Sequence, residues 1–109
     1  MAISVEAAIR AIAEPRRRDI LRLVWGDELR AGAIADRFPE VSRPAISQHL
    51  RVLKDAGLLI ERREGTRRLY RARPERIAEL RTYLEGFWDD RLEALRDAAE
   101  LGRTRRGPS

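Results

Sequence analysis

The sequence predicts a mainly α-helical fold with one small β-hairpin, and two adjacent stretches carry that prediction. Residues 42–56 have the pattern of a capped helix, because Ser42 suits the N-cap and Pro44 falls in the first turn, where its missing N–H costs nothing. Residues 58–70 alternate apolar and polar side chains around a Glu-Gly-Thr turn, as two paired strands do. A short helix with one polar face fits the major groove of DNA, and a basic hairpin beside it can reach the flanking backbone. These features predict a winged helix-turn-helix of about five helices plus a two-stranded wing.

Three helices are predicted ahead of residue 42, over residues 4–13, 15–25 and 29–38. The positions expected to face the core in the first two are Val5, Ala8, Ile9, Ile12, Ile20, Leu21, Val24 and Trp25. In the helix 42–56 the buried stripe is Ile46, Leu50 and Leu53. The third and fourth helices, joined by a tight turn, form the helix-turn-helix pair.

The hairpin is predicted to face the core with Leu58, Ile60 and Leu69 and to turn at residues 64–66. The hairpin also carries most of the net charge of the chain. The whole protein has a net charge of +5, and residues 61–73 contain six arginines and two glutamates, a local charge of +4. Such a surface attracts phosphate and gives salt-sensitive affinity for nucleic acid.

A last helix, from Pro74 to about Ala99, has an apolar stripe about six turns long, more than a small core can cover. Surplus apolar length on a terminal helix usually finds a second subunit. We therefore expect a two-fold homodimer built from this helix and the first one, the alternative being a helix packed wholly on its own chain. The expected interface residues are Val5, Ile9, Leu80, Leu84, Phe87, Trp88 and Leu95. Residues 1–101 form a single domain in this interpretation, and residues 102–109 a disordered basic tail.

Composition excludes several classes of function. The chain has no cysteine and one histidine, so we expect no disulfide, no metal site and no cofactor. It contains no apolar run of the ~18–20 residues that span a membrane, and its N-terminus lacks the pattern of a signal peptide, which favours a cytoplasmic protein without membrane contact. No nucleophile has a neighbouring base, so an enzyme is not expected.

The residues expected to contact double-stranded DNA come from the helix 42–56 and the hairpin. Ser47, Gln48 and Arg51 point away from the buried stripe, where glutamine can pair with adenine and arginine with guanine, each worth ~1–3 kcal/mol of discrimination. The other candidates, mainly for phosphate, are Ser42, Arg43, Lys54, Arg62, Arg63, Arg67 and Arg68. Within the hairpin, Arg67 and Arg68 are the first choice because they lie nearest its tip.

Some residues and functions stay open at this point. His49 borders the buried stripe, so packing and phosphate contact are both consistent with its position. Arg16, Arg17 and Arg18 open a helix, where positive charge opposes the dipole, and salt bridging is favoured over phosphate contact. Two other functions fit the same fold: a non-specific architectural DNA binder and a winged-helix module that binds proteins.

The chain resembles the ArsR family of bacterial winged-helix repressors over roughly residues 5–95, in particular the branch without metal sites. The motifs that carry the resemblance are Glu14-Pro15-Arg16-Arg17-Arg18 leading to Ile20-Leu21, the run Ser42-Arg43-Pro44-Ala45-Ile46-Ser47-Gln48-His49-Leu50, then Val52-Leu53-Lys54 with Ala56-Gly57-Leu58, and Arg63-Glu64-Gly65-Thr66-Arg67-Arg68-Leu69-Tyr70. The resemblance implies a homodimer that binds a pseudo-palindromic operator and represses its own or an adjacent operon.

One departure from the family pattern concerns metal. Metal-sensing members place a cysteine pair after a Glu-Leu in the third helix, whereas this chain continues Glu28-Leu29 with Arg30-Ala31-Gly32. Its last helix also lacks the histidine ligands that such members use. The resemblance therefore implies a regulator that does not respond to metal.

Overall fold

The computed structural model describes residues 4–106, without the side chains of residues 88–90 and 102–106. Five helices and three strands follow one another as α1 (Val5–Ala13), α2 (Pro15–Leu23), β1 (Leu29–Arg30), α3 (Ala31–Asp36), α4 (Arg43–Asp55), β2 (Leu59–Glu64), β3 (Arg67–Ala72) and α5 (Pro74–Arg106). The strands form one antiparallel sheet in the order β1-β3-β2. The mainly helical winged fold agrees with the sequence prediction.

The two predicted wing strands are β2 and β3, and the sheet has a third, short strand, β1, that the sequence did not predict. Leu29 pairs with Tyr70 and Arg30 with Leu69, which adds β1 to the free edge of β3. The third helix is correspondingly shorter than residues 29–38. A strand of two residues shows no alternation of its own, and it forms because β3 offers it unpaired backbone groups.

The strand alternation of the hairpin is displaced by one residue from the predicted pattern. Leu58 is buried as expected, but Leu59 is the next inward residue at 2% exposure, while Ile60 is 37% exposed. The reason is that Leu58 takes part in the C-terminal cap that follows α4: its N–H donates to the Leu53 carbonyl at 3.0 Å, and Gly57 before it has a φ of 81°. Alternation starts only at Leu59.

On β3 the same displacement buries Tyr70 and Ala72 and leaves Leu69 half-buried. The two-residue turn has Gly65 at φ 63° and Thr66 with negative φ, which fits a type II′ hairpin.

The core lies between the first four helices, the sheet and the start of α5. Its buried members are Ala8, Ala11, Ile20, Leu21, Val24, Ile34, Ala35, Ile46, Leu50, Leu53, Ala56, Leu58, Leu59, Tyr70, Ala72 and Leu80. Trp25 was expected inside and is 48% exposed. Because α2 ends at Leu23, Trp25 falls beyond the helix, and the Val24 carbonyl instead accepts a hydrogen bond from the Ala72 N–H at 3.0 Å.

α5 is longer than predicted. It continues past Ala99 to Arg106, into the segment predicted to be a disordered tail, and residues 107–109 lie outside the described part. At 1.5 Å per residue its 33 residues span about 50 Å. Ile77, Leu80 and Leu84 pack on the core, whereas every described side chain from Glu85 to Leu101 is exposed. The helix therefore does not pack on its own chain along its whole length, because its second half is exposed.

Candidate nucleic-acid interface

The outer face of α4 is presented by a well-fixed helix. Ser42 caps it, since its Oγ accepts a hydrogen bond from the Ala45 N–H at 3.2 Å. The inner stripe Ile46, Leu50 and Leu53 is at most 2% exposed, which sets the rotation of the helix about its axis. That rotation exposes three of the predicted DNA-contacting residues: Ser47, Gln48 and Arg51. No side-chain hydrogen bond or ion pair involves any of these three within the described part of the chain.

One face of the wing points toward α4. Glu61 lies opposite Tyr70 and Arg63 opposite Arg68 in the β2–β3 ladder, so all four share the face that buries Leu59. Arg63 and Arg68 form a cross-strand pair of like charges, an arrangement that destabilises a hairpin. The face of the wing that points toward α4 therefore carries two arginines against the single carboxylate of Glu61.

The other face of the wing holds Arg62 in ion pairs. Its Nη2 lies 2.6 Å from Glu28 Oε1 and 3.1 Å from Glu64 Oε2, and its Nε donates to Glu28 Oε2 at 3.1 Å. The hydrogen bonds from Arg62 lower the pKa of the Glu28 carboxyl, and the two carboxylates raise the pKa of the guanidinium. Arg62 thus ties the loop before β1 to the wing and lies on the face turned away from α4. Arg67 follows the same outer face at the tip.

A carboxylate joins α4 to the wing. Glu61 Oε2 accepts hydrogen bonds from Lys54 Nζ and from the Tyr70 hydroxyl, both at 3.2 Å. Burial opposes ionisation of Glu61, but these two hydrogen bonds together with the positive charges of Lys54 and Arg68 outweigh it and lower the pKa of the carboxyl. Burial and the charge of Glu61 raise the pKa of Tyr70. Lys54, one of the predicted phosphate contacts, is therefore engaged within the chain.

Arg43 is engaged in a similar way, because its Nη2 lies 3.1 Å from Asp36 Oδ1 at the end of α3. The pair is exposed, with 70% of the Arg43 side chain accessible. Such a surface pair is weak and can exchange for a phosphate.

Two shallow depressions connect α4, α3 and the wing. The first brings together residues of the helix and of the inner wing face: Ala31, Ser47, Leu50, Arg51, Lys54, Glu61, Arg68 and Tyr70. The second, at the wing tip, is lined by Arg30, Ala31, Gly32, Ala33, Asp36, Thr66, Arg67 and Arg68. Sequence reasoning did not place Arg30 with the wing arginines, because the pairing of β1 with β3 brings it there and β1 left no signal in the sequence.

The three arginines that open α2 have different partners. Arg16 forms an ion pair with Glu40 at 2.7 Å and lies over the Phe38 ring, 5.1 Å from its centroid. Arg17 and Arg18 instead donate to backbone carbonyls at the end of α1. Salt bridging was therefore the right prediction for Arg16 alone. His49 is half-buried and its Nδ1 lies 3.3 Å from Arg17 Nη1.

The candidate interface for a second copy lies on α1 and α5. Ile9 is 38% exposed, Phe87 46% and Leu95 64%, while Val5 and Leu84 are half-buried. Leu80 was predicted to lie in this interface but is 3% exposed in the core of its own chain, so it has almost no surface to offer. The predicted contact of Trp88 concerns a side chain outside the described residues.

Neither metal ligands nor a membrane span is found in the described part of the chain. Among its residues, no three or more His, Cys, Asp or Glu side chains lie together as a metal site requires. Its helices include none with the length and apolar character needed to cross a bilayer.

The comparisons with known proteins agree with this geometry. Residues 12–62 match the family model of a helix-turn-helix domain. The chain is 46% identical over 85 residues to the HTH-type transcriptional regulator Rv2034 of Mycobacterium tuberculosis, which covers 78% of each protein. It is 45% identical over 56 residues to the transcriptional repressor SdpR of Bacillus subtilis, covering 51% of this chain and 61% of that relative.

A similar solved structure identifies the family. The homodimeric winged helix-turn-helix DNA-binding domain Mb0332 from Mycobacterium bovis, a possible ArsR-family transcriptional regulator, is similar with a TM-score of 0.63 and 35% sequence identity, covering 79% of both chains. The chain belongs to the ArsR family of transcriptional regulators. As an ArsR-family member it is a DNA-binding regulator and not an enzyme, as the sequence predicted. The matched helix-turn-helix of this ArsR-family chain contains α3 and α4.

Proposed function

We propose that this ArsR-family regulator is a homodimeric, sequence-specific repressor that binds a pseudo-palindromic operator in the cytoplasm without a metal. The observation that carries the proposal is the set of exposed donors on α4, Ser47, Gln48 and Arg51, which have no partner within the described chain and lie beside the like-charged Arg63–Arg68 pair of the wing. Unpaired donors on a rigid helix can form hydrogen bonds to base edges in the major groove. Two neighbouring arginines favour contact with the phosphate backbone.

In this arrangement α4 enters the major groove with its N-terminal half toward the bases. Gln48 and Arg51 supply the base contacts. Arg63 and Arg68, on the same side of the wing, reach the flanking backbone, where phosphate removes the repulsion between them. Arg67 and Arg30, around the second depression, add phosphate contacts at the tip.

The dimer is supported by the apolar surface that the monomer leaves uncovered on α1 and along α5. The similar Mycobacterium bovis domain is homodimeric. A two-fold dimer presents two recognition helices about 34 Å apart and so predicts half-sites one helical turn apart. A repressor is favoured over an activator by the similarity to SdpR, a transcriptional repressor.

Independence from metal is supported by the absence of cysteine from the whole chain and by Arg30-Ala31-Gly32, which stand where metal-sensing members have thiolates. Removal of metal with a chelator is expected to leave operator affinity unchanged.

The proposed function is tested by selecting bound sequences from random duplexes at about 150 mM salt. We expect a two-fold symmetric motif. With about 6–10 phosphate contacts, affinity should fall roughly 10³- to 10⁵-fold between about 50 and 200 mM salt. Binding without any enriched motif would instead indicate a non-specific DNA binder, and no binding would indicate a winged helix that binds proteins.

Arg68→Ala and Arg62→Ala form a matched pair that tests which face of the wing meets DNA. Arg68→Ala should weaken all duplexes by a similar factor and reduce the slope of log affinity against log salt by about 0.9 per subunit. Arg62→Ala removes an arginine whose partners are Glu28 and Glu64, so the slope should stay the same. Filter binding at four salt concentrations measures both, and a larger loss for Arg62→Ala would contradict the assignment of faces.

Ile9→Arg tests the dimer. Ile9 is an exposed apolar residue on α1, so a charge there should dissociate the dimer without disturbing the monomer core. Sedimentation equilibrium should give the monomer mass for Ile9→Arg and the dimer mass for the control Arg22→Ala, since Arg22 is exposed on the surface of α2, where it pairs with Asp19. A dimeric Ile9→Arg variant would place the interface elsewhere.

A further inference from the structure

We propose that Arg17 is a positioning residue for DNA recognition: through His49 it fixes α4 against the end of α1 and holds the imidazole in one neutral tautomer. This inference rests on the proposed function, in which α4 reads the bases and α1 belongs to the dimer interface. Neither residue lies on the exposed base-reading face of α4.

One guanidinium joins three helices. Arg17 belongs to α2, and its Nε donates to the Ala11 carbonyl at 2.6 Å while its Nη2 donates to the Arg10 carbonyl at 3.2 Å. These carbonyls belong to the last turn of α1, where no helical N–H is available to them. The remaining nitrogen, Nη1, lies 3.3 Å from His49 Nδ1 on α4. The ends of α1 and the middle of α4 are thus held by the same planar group.

The chemistry of this contact determines the protonation state of His49. A guanidinium has five N–H donors and no acceptor, so Nδ1 has to accept, and the single ring proton has to sit on Nε2. Protonation of Nδ1 would point an N–H at the guanidinium and set two cations side by side. The contact therefore exists only with the neutral Nε2–H tautomer.

The surroundings favour the same state. Burial lowers the pKa of His49 most, the charge of Arg17 lowers it further, and Arg16 adds to the lowering, while Glu14 acts in the opposite direction. The α1 groups at this point are backbone carbonyls, which carry no net charge. Near neutral pH the imidazole is uncharged and remains an acceptor for Arg17.

The consequence concerns the orientation of α4. His49 follows Gln48 directly and lies two residues before Arg51, so a restraint on its ring restrains the backbone that carries both base contacts. Since α1 also carries the proposed dimer surface, the link sets the angle of the recognition helix relative to the two-fold axis. Donors held in place before binding lose less entropy when they meet the operator.

His49 is the only histidine in the protein, so its ring can be observed by ¹H–¹⁵N NMR without assignment. We expect the wild-type spectrum to show the Nε2–H tautomer and a pKa below the ordinary value of 6.5. Arg17→Ala should abolish the tautomer preference and raise that pKa. The matched control is Arg18→Ala, because Arg18 also donates to α1 carbonyls, those of Ile12 at 2.7 Å and Ala13 at 3.2 Å, but is not bonded to His49.

The same variants are then titrated with the selected operator. Arg17→Ala should lose about tenfold in affinity and gain a pH dependence at the raised pKa, whereas Arg18→Ala should lose less than about twofold. Adding His49→Ala to Arg17→Ala should cause no further loss. If Arg17→Ala does not fold, Arg17→Lys takes its place. Lysine keeps the charge but cannot reach three acceptors, so the same loss of affinity and the same rise of the His49 pKa are expected.

An unchanged tautomer and pKa in the Arg17 variants would overturn the link itself. Equal losses of affinity for the Arg17 and Arg18 variants, without a new pH dependence, would overturn its role in recognition. Failure of the wild-type protein to bind any selected duplex would overturn the proposed function, and that result is distinct because the NMR experiment contains no DNA.

Discussion

Replacing Arg51 by alanine should abolish most of the preference of this regulator for its operator. Each guanine contact by arginine is worth about 1–3 kcal/mol of discrimination, and a two-fold dimer loses two of them. The combined loss of about 2–6 kcal/mol corresponds to a fall in specific affinity from roughly 30-fold to more than 10⁴-fold. Affinity for a scrambled duplex should change far less, since only a charge is removed there.

The measurement is a titration of the variant against operator and scrambled duplexes at the same salt concentration. Arg22→Ala is the control, because it also removes one exposed arginine but from the surface of α2, where its partner is Asp19. Equal losses on both duplexes for Arg51→Ala would show that Arg51 contacts phosphate and that the base reading depends on other residues.

The second large effect concerns stability. Leu59→Ala should lower the free energy of unfolding by about 2–5 kcal/mol, because it removes a side chain that is 2% exposed and leaves a cavity between α4 and the sheet. A domain of this size has a total stability of about 5–15 kcal/mol, so the loss is a large part of it. Urea denaturation at fixed protein concentration measures the change.

The neighbouring variant Ile60→Ala is the control for that measurement. Ile60 is 37% exposed on the opposite face of β2, and its truncation leaves no closed cavity, so the loss should be well under that of Leu59→Ala. A larger loss of unfolding free energy for Ile60→Ala would contradict this strand register. It would support the alternation predicted from sequence, with Leu58 and Ile60 facing the core.

The helices were predictable from sequence because their signals are local. Ser42 as a cap, Pro44 in the first turn and the stripe Ile46–Leu50–Leu53 all lie within one helix, and each is observed as expected. The strand pattern failed because its starting point depends on how α4 ends. The left-handed Gly57 and the hydrogen bond from the Leu58 N–H to the Leu53 carbonyl extend the helix cap through Leu58. The strand therefore begins one residue later than the predicted alternation.

The candidate site divides in the same way. The exposed residues of α4 follow from helical geometry, so Ser47, Gln48 and Arg51 were predictable. Which wing arginine faces α4 depends on the pairing register, and the ion pair of Arg62 was not predictable because Glu28, its partner, is 34 residues away in sequence. The contact of Arg17 with His49 spans 32 residues and likewise has no local signature.

The carboxylate of Glu61 has a consequence for how an operator can vary. It accepts hydrogen bonds from both Lys54 of α4 and Tyr70 of the wing, and so links the helix and the wing to each other. In the proposed mode of binding, the distance along the duplex between the bases contacted by α4 and the phosphates contacted by the wing is then fixed within each half-site. Natural operators of this regulator are expected to tolerate changes in the spacer between half-sites, which the dimer can absorb, but no insertion of a base pair inside either half-site.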